Sequence, residues 1–553
     1  SSANPCTGAA PRRAPRSSAV PASDALTQLL LGGRIYSPSH PDATAMVVRD
    51  GVVVWLGSDD VGRSQFPEAA IDDLDGAFVA PAFVDSHVHL TATGLRTTGL
   101  DLGAAQSPEH CVHLIAAHVA AHPSRPVWGH GWDDTRWTRP LTTADVDAVV
   151  GAVPAYLARV DVHSAAASTA LRERVPGLAA VAGFDHELPL TADAHHLVRA
   201  AARELLTCQQ RDAARRAALD AAAAAGVVAV HECAGPDIGG AEDWQELREL
   251  RHGVEVVGYW GEAVSTAAVA RALIEETGVR GLGGDLFVDG ALGSRTAWLS
   301  RPYLDAPDCT GRQYLSAATI FEHLAACTEA GISAGFHVIG DAAVTAVVDA
   351  LERLVERFGA PAVARCGHRL EHLEMVTAEQ SVKLGRWGIV ASMQPGFDAR
   401  WGGDDGMYAR RLGAQRAAGL NPLALLAAAG VPLAFGSDAP VTCMDPWSWV
   451  RAASRHQTAG SAISARAAFA AATRGGWRAG GVRDGVSGTL VPGAPASYAV
   501  WEADHLDVAA PVDSVQRWST DPRSQVPALP RLEPGEPLPR CRRTVHRGVV
   551  IHG

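Results

Sequence analysis

The sequence predicts an α/β protein: a (β/α)₈ TIM-type barrel, with a small β-sandwich built from both chain ends and an α/β insertion after the first barrel strand. Three observations predict it. Over residues 81–486, Ala-rich helical windows alternate with brief apolar runs that end in polar residues: GVVAVHE, GDLFVDG, GISAGFHVIGD, ARCGHRLEH, GIVASMQP and VPLAFGSD. Helices between short buried strands imply a parallel sheet, and so many repeats favour closure into a barrel. The two chain ends share a different, all-β character. Finally, a barrel takes roughly 250 residues, so this stretch has room for an insertion.

Taken in order, residues 1–24 are rich in Ser, Ala, Pro and Arg, carry no acid before Asp24 and precede no signal-peptide apolar segment, so a disordered leader is expected. In 25–80, LLLGGRIYSPS, AMVVRDGVVVWLG and IDDLDGAFVAPAF read as strands separated by Gly and Asp turns. The same pattern resumes in 487–553, with SGTLVPGAPASYAVWEAD and CRRTVHRGVVIHG. Neither end has enough strands for a stable sheet alone, so one composite sandwich is expected. Residues 95–225, with VWGHGWDDTRW, AYLARVDVHS and a long Ala/Arg helix, are the expected insertion.

Composition narrows the function. The net charge is -12, from 48 basic and 60 acidic residues, and no basic stripe with interleaved aromatics suggests a nucleic-acid partner. No apolar run approaches the roughly 20 residues that span a bilayer, so no membrane association is expected. The nine cysteines lack CxxC spacing, which argues against a disulfide framework and for a reducing, cytoplasmic compartment. GALGS and GGVRDGVSG lack the strand-turn-helix context of a dinucleotide loop, and no G-x-S-x-G elbow occurs. The expected partner is a small-molecule substrate, with a homodimer allowed.

The chemistry sits at the ends of the apolar runs. In a strand, residues two apart share a face, so Asp85, His87 and His89 of FVDSHVHL project together. Two imidazoles make half a metal site, and among 22 histidines such a pair also arises by chance. Other strand ends add His337, His372 and Asp438. Imidazole nitrogens and carboxylate oxygens suit zinc or a similar divalent ion.

PAFVDSHVHL, DGALGSRTAWL, HVIGD, RLEH, SMQP, GSDAPV and GTLVPGAPASYAV together resemble the amidohydrolase superfamily, in the amidohydrolase-3 branch that contains N-substituted formamide deformylase. The resemblance runs from about residue 28 onward. It implies that His87 and His89 bind one metal, that His337 and His372 bind a second or complete the site, and that Asp438 is ligand and proton shuttle. The implied activity is hydrolysis of a non-peptide C–N bond, in an amide, N-formyl or N-acyl small molecule, by metal-activated hydroxide. Alternatives are a deaminase or a lactam or ester hydrolase of the same superfamily, and a non-catalytic metal-bearing binding protein, against which the intact Asp438 argues.

The chain departs from the family at one position. Many two-metal relatives use a carboxylated lysine in a K-L-F-x-D-G strand, whereas here Asp285 of GDLFVDG stands in that place and the single lysine, Lys383, follows RLEHLEMV in a helical window. A carboxylated lysine is therefore not expected. Asp285 either bridges two ions or belongs to a one-ion site. Around the mouth, Arg295, His163, Trp132 and His231 are candidate substrate contacts. Asp85 is expected to brace the site from behind, and His368 to be a satisfied core histidine.

Overall fold

The computed structural model describes residues 26–507 and 526–553; the expected leader lies outside them. Eight parallel strands form the central sheet: β1 (Phe83–Val88), β2 (Val227–Ala234), β3 (Glu255–Trp260), β4 (Gly281–Leu282), β5 (Ser333–Val338), β6 (Arg369–His372), β7 (Val390–Met393) and β8 (Leu433–Phe435). The ring closes between β1 and β8. Val88 bridges to Ala439, Asp438 N–H donates to His87 O at 2.8 Å, and His89 N–H donates to Ala439 O at 2.9 Å. Strands covered on both faces read as continuous apolar runs, and every residue of β2 is buried.

The surrounding helices turn one stripe inward. Asp341–Phe358 buries Val344, Val347, Val348, Leu351 and Leu354 at helical spacing. Ala317–Ala330 begins at Ser316, whose hydroxyl accepts from Thr319 N–H, and ends at Gly331, where φ is 71°.

One strand differs from expectation. GDLFVDG is not a strand: after Leu282 the chain keeps one bond to β3, from Gly283 N–H to Trp260 O at 2.9 Å, then leaves the sheet and meets it again through a Phe287–His337 bridge. Two glycines explain the exit. A Cβ on Gly283 would meet Gly335 N at 2.6 Å, and Gly284 takes a left-handed φ of 70°. Asp289 then pins the loop, accepting from the backbone N–H groups of Trp298, Ile339 and Gly340 at 2.9, 3.0 and 2.8 Å.

The chain ends supply two further sheets. One holds Gln28–Leu31, Ala45–Arg49, Val52–Gly57 and Ala70–Asp73; the other holds Arg34–Ile35, Phe78–Pro81, Tyr498–Glu502, Arg540–His546 and Val549–His552. Leu30, Met46, Val53, Val79, Tyr498, Val500 and Val545 form an apolar core common to both.

Between β1 and β2 a five-stranded sheet runs from Leu100–Asp101 to Leu190–Thr191, followed by the helices Ala192–Arg203 and Cys208–Ala224. Trp132 lies inside this unit, 1% exposed, with its indole N–H donating to Leu157 O at 2.8 Å. It packs among Leu100, Val127 and Leu157, so the expectation that it contacts substrate is corrected: the large ring is spent on the insertion's own core. Trp132→Ala is expected to cost about 3–5 kcal/mol in chemical denaturation while leaving metal content unchanged.

Candidate metal centre and pocket

The centre lies where the strands end. Asp85 points back from the mouth, its Oδ1 accepting from Ser437 N–H at 2.9 Å and His87 N–H at 3.2 Å, and its Oδ2 from the Ser437 hydroxyl at 2.5 Å. It therefore ties β1 to β8. Burial pushes its pKa up to about 7 against the opposing effect of those bonds.

Three of the four imidazoles are oriented by a bond on the far nitrogen, whereas His89 Nδ1 is buried without a partner in the protein. His87 Nδ1 meets Glu371 Oε2 at 2.8 Å, His337 Nε2 meets Gly290 O at 3.0 Å, and His372 Nδ1 meets Gln394 Oε1 at 2.7 Å. The near nitrogens are left facing one another. Glu371 and His372 are adjacent and would lie on opposite faces of a regular strand, yet both reach the interior. The reason is a break in period: φ is 72° at His372 and 44° at Leu373.

Asp285 occupies the middle of the group. Its Oδ1 is 3.4 Å from His87 Nε2, 3.4 Å from His337 Nδ1 and 3.7 Å from His372 Nε2, while its Oδ2 is 3.0 Å from His89 Nε2. Asp438 Oδ1 is 3.3 Å from Nε2 of both His87 and His89. Asp285 belongs to two donor triads, His87–His89–Asp285 and Asp285–His337–His372, and a third, His87–His372–Asp438, crosses between them.

The donor set fits a divalent ion. His87 Nε2, His337 Nδ1 and Asp285 Oδ1 are buried without a hydrogen-bond partner in the protein, a costly arrangement unless something else binds them. Ligands about 2.1 Å from a tetrahedral zinc are about 3.4 Å apart, close to the spacings observed.

In the metal-free protein, protons substitute for that charge. Burial disfavours charge on His89, but hydrogen bonds to Asp285 and Asp438 outweigh it and push its pKa up to about 9. Burial likewise opposes ionisation of Asp285, yet the His87 charge and bonds from His337, His372 and His87 hold it well below the usual carboxylate range. A raised histidine pKa stabilises the fold fully below the ordinary value of 6.5 and ceases to do so as pH rises through about 9. Chelated protein should therefore lose on the order of 3 kcal/mol of stability between those limits, read as a falling thermal midpoint that zinc-loaded protein does not show.

Behind the imidazoles lies a buried ionic layer. Arg369 Nε donates to Glu371 Oε1 at 2.5 Å, its Nη2 to Ser86 O at 2.6 Å and the Ser392 hydroxyl at 3.0 Å, and its Nη1 lies 2.9 Å from His231 Nδ1. His231 is fully buried here, so its expected contact with substrate is corrected. The Arg369 guanidinium holds it behind the centre. Arg369 and Glu371 were not among the expected site residues, although a charged pair two apart in a buried strand is itself a sequence signal.

Arg295 is the third correction. Its guanidinium faces Asp305 at 2.7 Å, 38% exposed, and the same carboxylate takes Arg411 at 2.6 Å. A neighbouring acid has captured it away from the mouth. His163 does reach the centre: its ring lies 5.0 Å from that of His337 and 5.5 Å from Phe287. Burial, then the His337 charge, keep it neutral. His368 is a core residue, bonded to the Thr328 hydroxyl at 2.8 Å and Ala334 N–H at 2.9 Å. Lys383 pairs with Glu352 at 3.0 Å on the helical ring.

Above the centre is a cavity of about 440 Å³, whose floor includes His89, Asp285, His337, His372 and Asp438. Leu95, Trp128, Phe287 and Val441 supply apolar wall, and the insertion contributes Arg199 and Arg203. No helix among the described residues is long and apolar enough to cross a membrane.

Comparison with known proteins gives the family and the fold. The model describing the Amidohydrolase family matches residues 70–552. Protein LONG AFTER FAR-RED 3 of Arabidopsis thaliana is 26% identical over 467 residues, covering 78% of this chain and 78% of that protein. N-substituted formamide deformylase of Arthrobacter pascens is 24% identical over 508 residues, covering 84% of this chain and 91% of that protein. The crystal structure of an uncharacterized metal-dependent hydrolase from Pyrococcus furiosus aligns with a TM-score of 0.66 at 26% identity, over 86% of this chain and 98% of that one.

Proposed function

We propose, for a chain that belongs to the amidohydrolase family, that the centre hydrolyses a non-peptide C–N bond in an amide, N-formyl or N-acyl small molecule. The observation that carries the reading is Asp285 set among four imidazoles, two of which also face Asp438, beneath a cavity of about 440 Å³. His87 and His89 would hold one divalent ion and His337 and His372 a second, with Asp285 common to both; the nitrogen and oxygen donors favour zinc. When bound, such ions lower the pKa of water toward about 7 and polarise a carbonyl.

The remaining steps belong to the chain. Asp438, fixed at the end of β8 at φ 52° and next to the anchored Ser437, takes the proton of the attacking water and passes it to the departing nitrogen. Neutral His163, beside His337, can hydrogen-bond the acyl oxygen. Trp128, Phe287 and Val441 exclude bulk water around the reacting bond. A binding role without turnover leaves the placement of Asp438 unexplained. The test is release of amine from a panel of N-formyl and N-acyl compounds by zinc-loaded protein, with chelated protein as control; a panel left intact by zinc-loaded protein would count against the reading.

A further inference from the structure

His87 has metal-binding groups on both sides of its ring. In front, Nε2 faces Asp285 and Asp438 at 3.4 and 3.3 Å. Behind, Nδ1 lies 2.8 Å from Glu371 Oε2 and 3.4 Å from Cys233 Sγ. These three residues form a donor triad of their own, His87–Cys233–Glu371, with one ligand atom from each lying within 4.8 Å of the others. Imidazole nitrogen, thiolate sulfur and carboxylate oxygen are all zinc donors, so the back set is chemically as able to hold the ion as the front set. The two differ in position. His89, Asp285 and Asp438 line the cavity, whereas Cys233 and Glu371 do not and are fully buried.

Arg369 decides between them. Its guanidinium takes both oxygens of Glu371, with Nε donating to Oε1 at 2.5 Å and Nη2 to Oε2 at 3.1 Å. It is also tied to Ser86 O in β1, the Ser392 hydroxyl in β7 and His231 Nδ1 in β2, and it stands 4.4 Å from the centroid of the Tyr259 ring in β3. Four strands therefore fix a cation carried by β6. Because a guanidinium keeps its proton in proteins, a second cation entering the back triad would meet that charge in a low-dielectric core, with Glu371 already committed. The same Glu371 accepts the His87 Nδ1–H, which leaves the lone pair on Nε2.

We propose that Arg369 is a positioning residue: by claiming Glu371 it keeps metal out of the His87–Cys233–Glu371 triad and commits His87 to bind through Nε2. This rests on the metal centre in the reading above and concerns which side of His87 the ion takes. Without the guanidinium, Glu371 is released and a divalent ion binds His87 Nδ1, the Glu371 carboxylate and Cys233. The thiol binds as thiolate and its proton goes to solvent, with no redox change.

The test is absorption spectroscopy of cobalt(II)-loaded protein, because a thiolate on cobalt gives an intense near-ultraviolet charge-transfer band that nitrogen and oxygen donors do not. Wild-type protein should lack the band. Arg369→Gln should acquire it, Arg369→Lys, which keeps a positive charge, should not, and adding Cys233→Ser to Arg369→Gln should remove it. A wild-type band that Cys233→Ser abolishes overturns the proposal, since the metal would already sit behind His87. So does a folded Arg369→Gln without the band. Should Arg369→Gln not fold, Glu371→Gln carries the test: it keeps the side chain's shape but not the charge that holds Nδ1–H, and zinc affinity by chelator competition should fall about 10- to 100-fold. Unchanged affinity overturns the proposal. Amine release is scored apart from this: wild-type protein that binds cobalt without the band yet turns over no N-formyl or N-acyl compound counts against the hydrolase reading and leaves the role of Arg369 standing.

Discussion

Asp438→Asn keeps the metal and loses turnover, by about 10²- to 10⁴-fold. The substitution preserves size and one oxygen, and Asp438 Oδ1 sits 3.3 Å from Nε2 of both His87 and His89, so an amide oxygen can still face the ion site. What it cannot do is accept a proton at neutral pH. Elemental analysis of the purified variant checks the first half, and single-turnover amine release the second. Metal loss in parallel with activity would make Asp438 a ligand only. Unchanged turnover would remove it from the mechanism.

Asp285→Ala has the broader consequence, because this one carboxylate takes part in two of the centre's donor triads. Losing an outer partner of a metal ligand typically costs 10- to 100-fold in affinity, and Asp285 touches every imidazole of the centre. Removing it is expected to weaken zinc binding by more than about a hundredfold and to abolish turnover at ordinary zinc concentrations. Competition with a fluorescent chelator measures the affinity. A variant that retains wild-type zinc content would show that Asp285 only balances histidine charge. The fold should survive in this variant, since the carboxylate is held by the histidines and makes no backbone bond.

The barrel was legible because strands buried on both faces must be apolar runs, against which a terminal His or Asp stands out. That logic placed His87, His89, His337, His372 and Asp438 at one end of one sheet. It failed at GDLFVDG, whose apolar pattern reads as a strand although Gly283, just before it, and Gly284, its first residue, take the chain out of the ladder. Asp285 reaches the histidines from that loop, not from a strand end. Trp132, Arg295 and His231 failed for a common reason. Residue type near a motif does not say which core, acid or guanidinium will claim the side chain, and Leu157 O, Asp305 and Arg369 do so here. Arg199 and Arg203 were invisible for the converse reason: their four-residue spacing is ordinary for a solvated helix, and only the packing of the insertion over the mouth turns that face into a cavity wall.

The account turns on Asp285 joining two ion sites. The direct measurement is a crystal structure of zinc-loaded protein with anomalous differences collected at the zinc edge, together with zinc per chain by elemental analysis. Two ions per chain, one among His87 and His89 and one between His337 and His372, with the Asp285 carboxylate touching both, is the result the account predicts. A single ion, or two ions with Asp285 turned away from them, would contradict it.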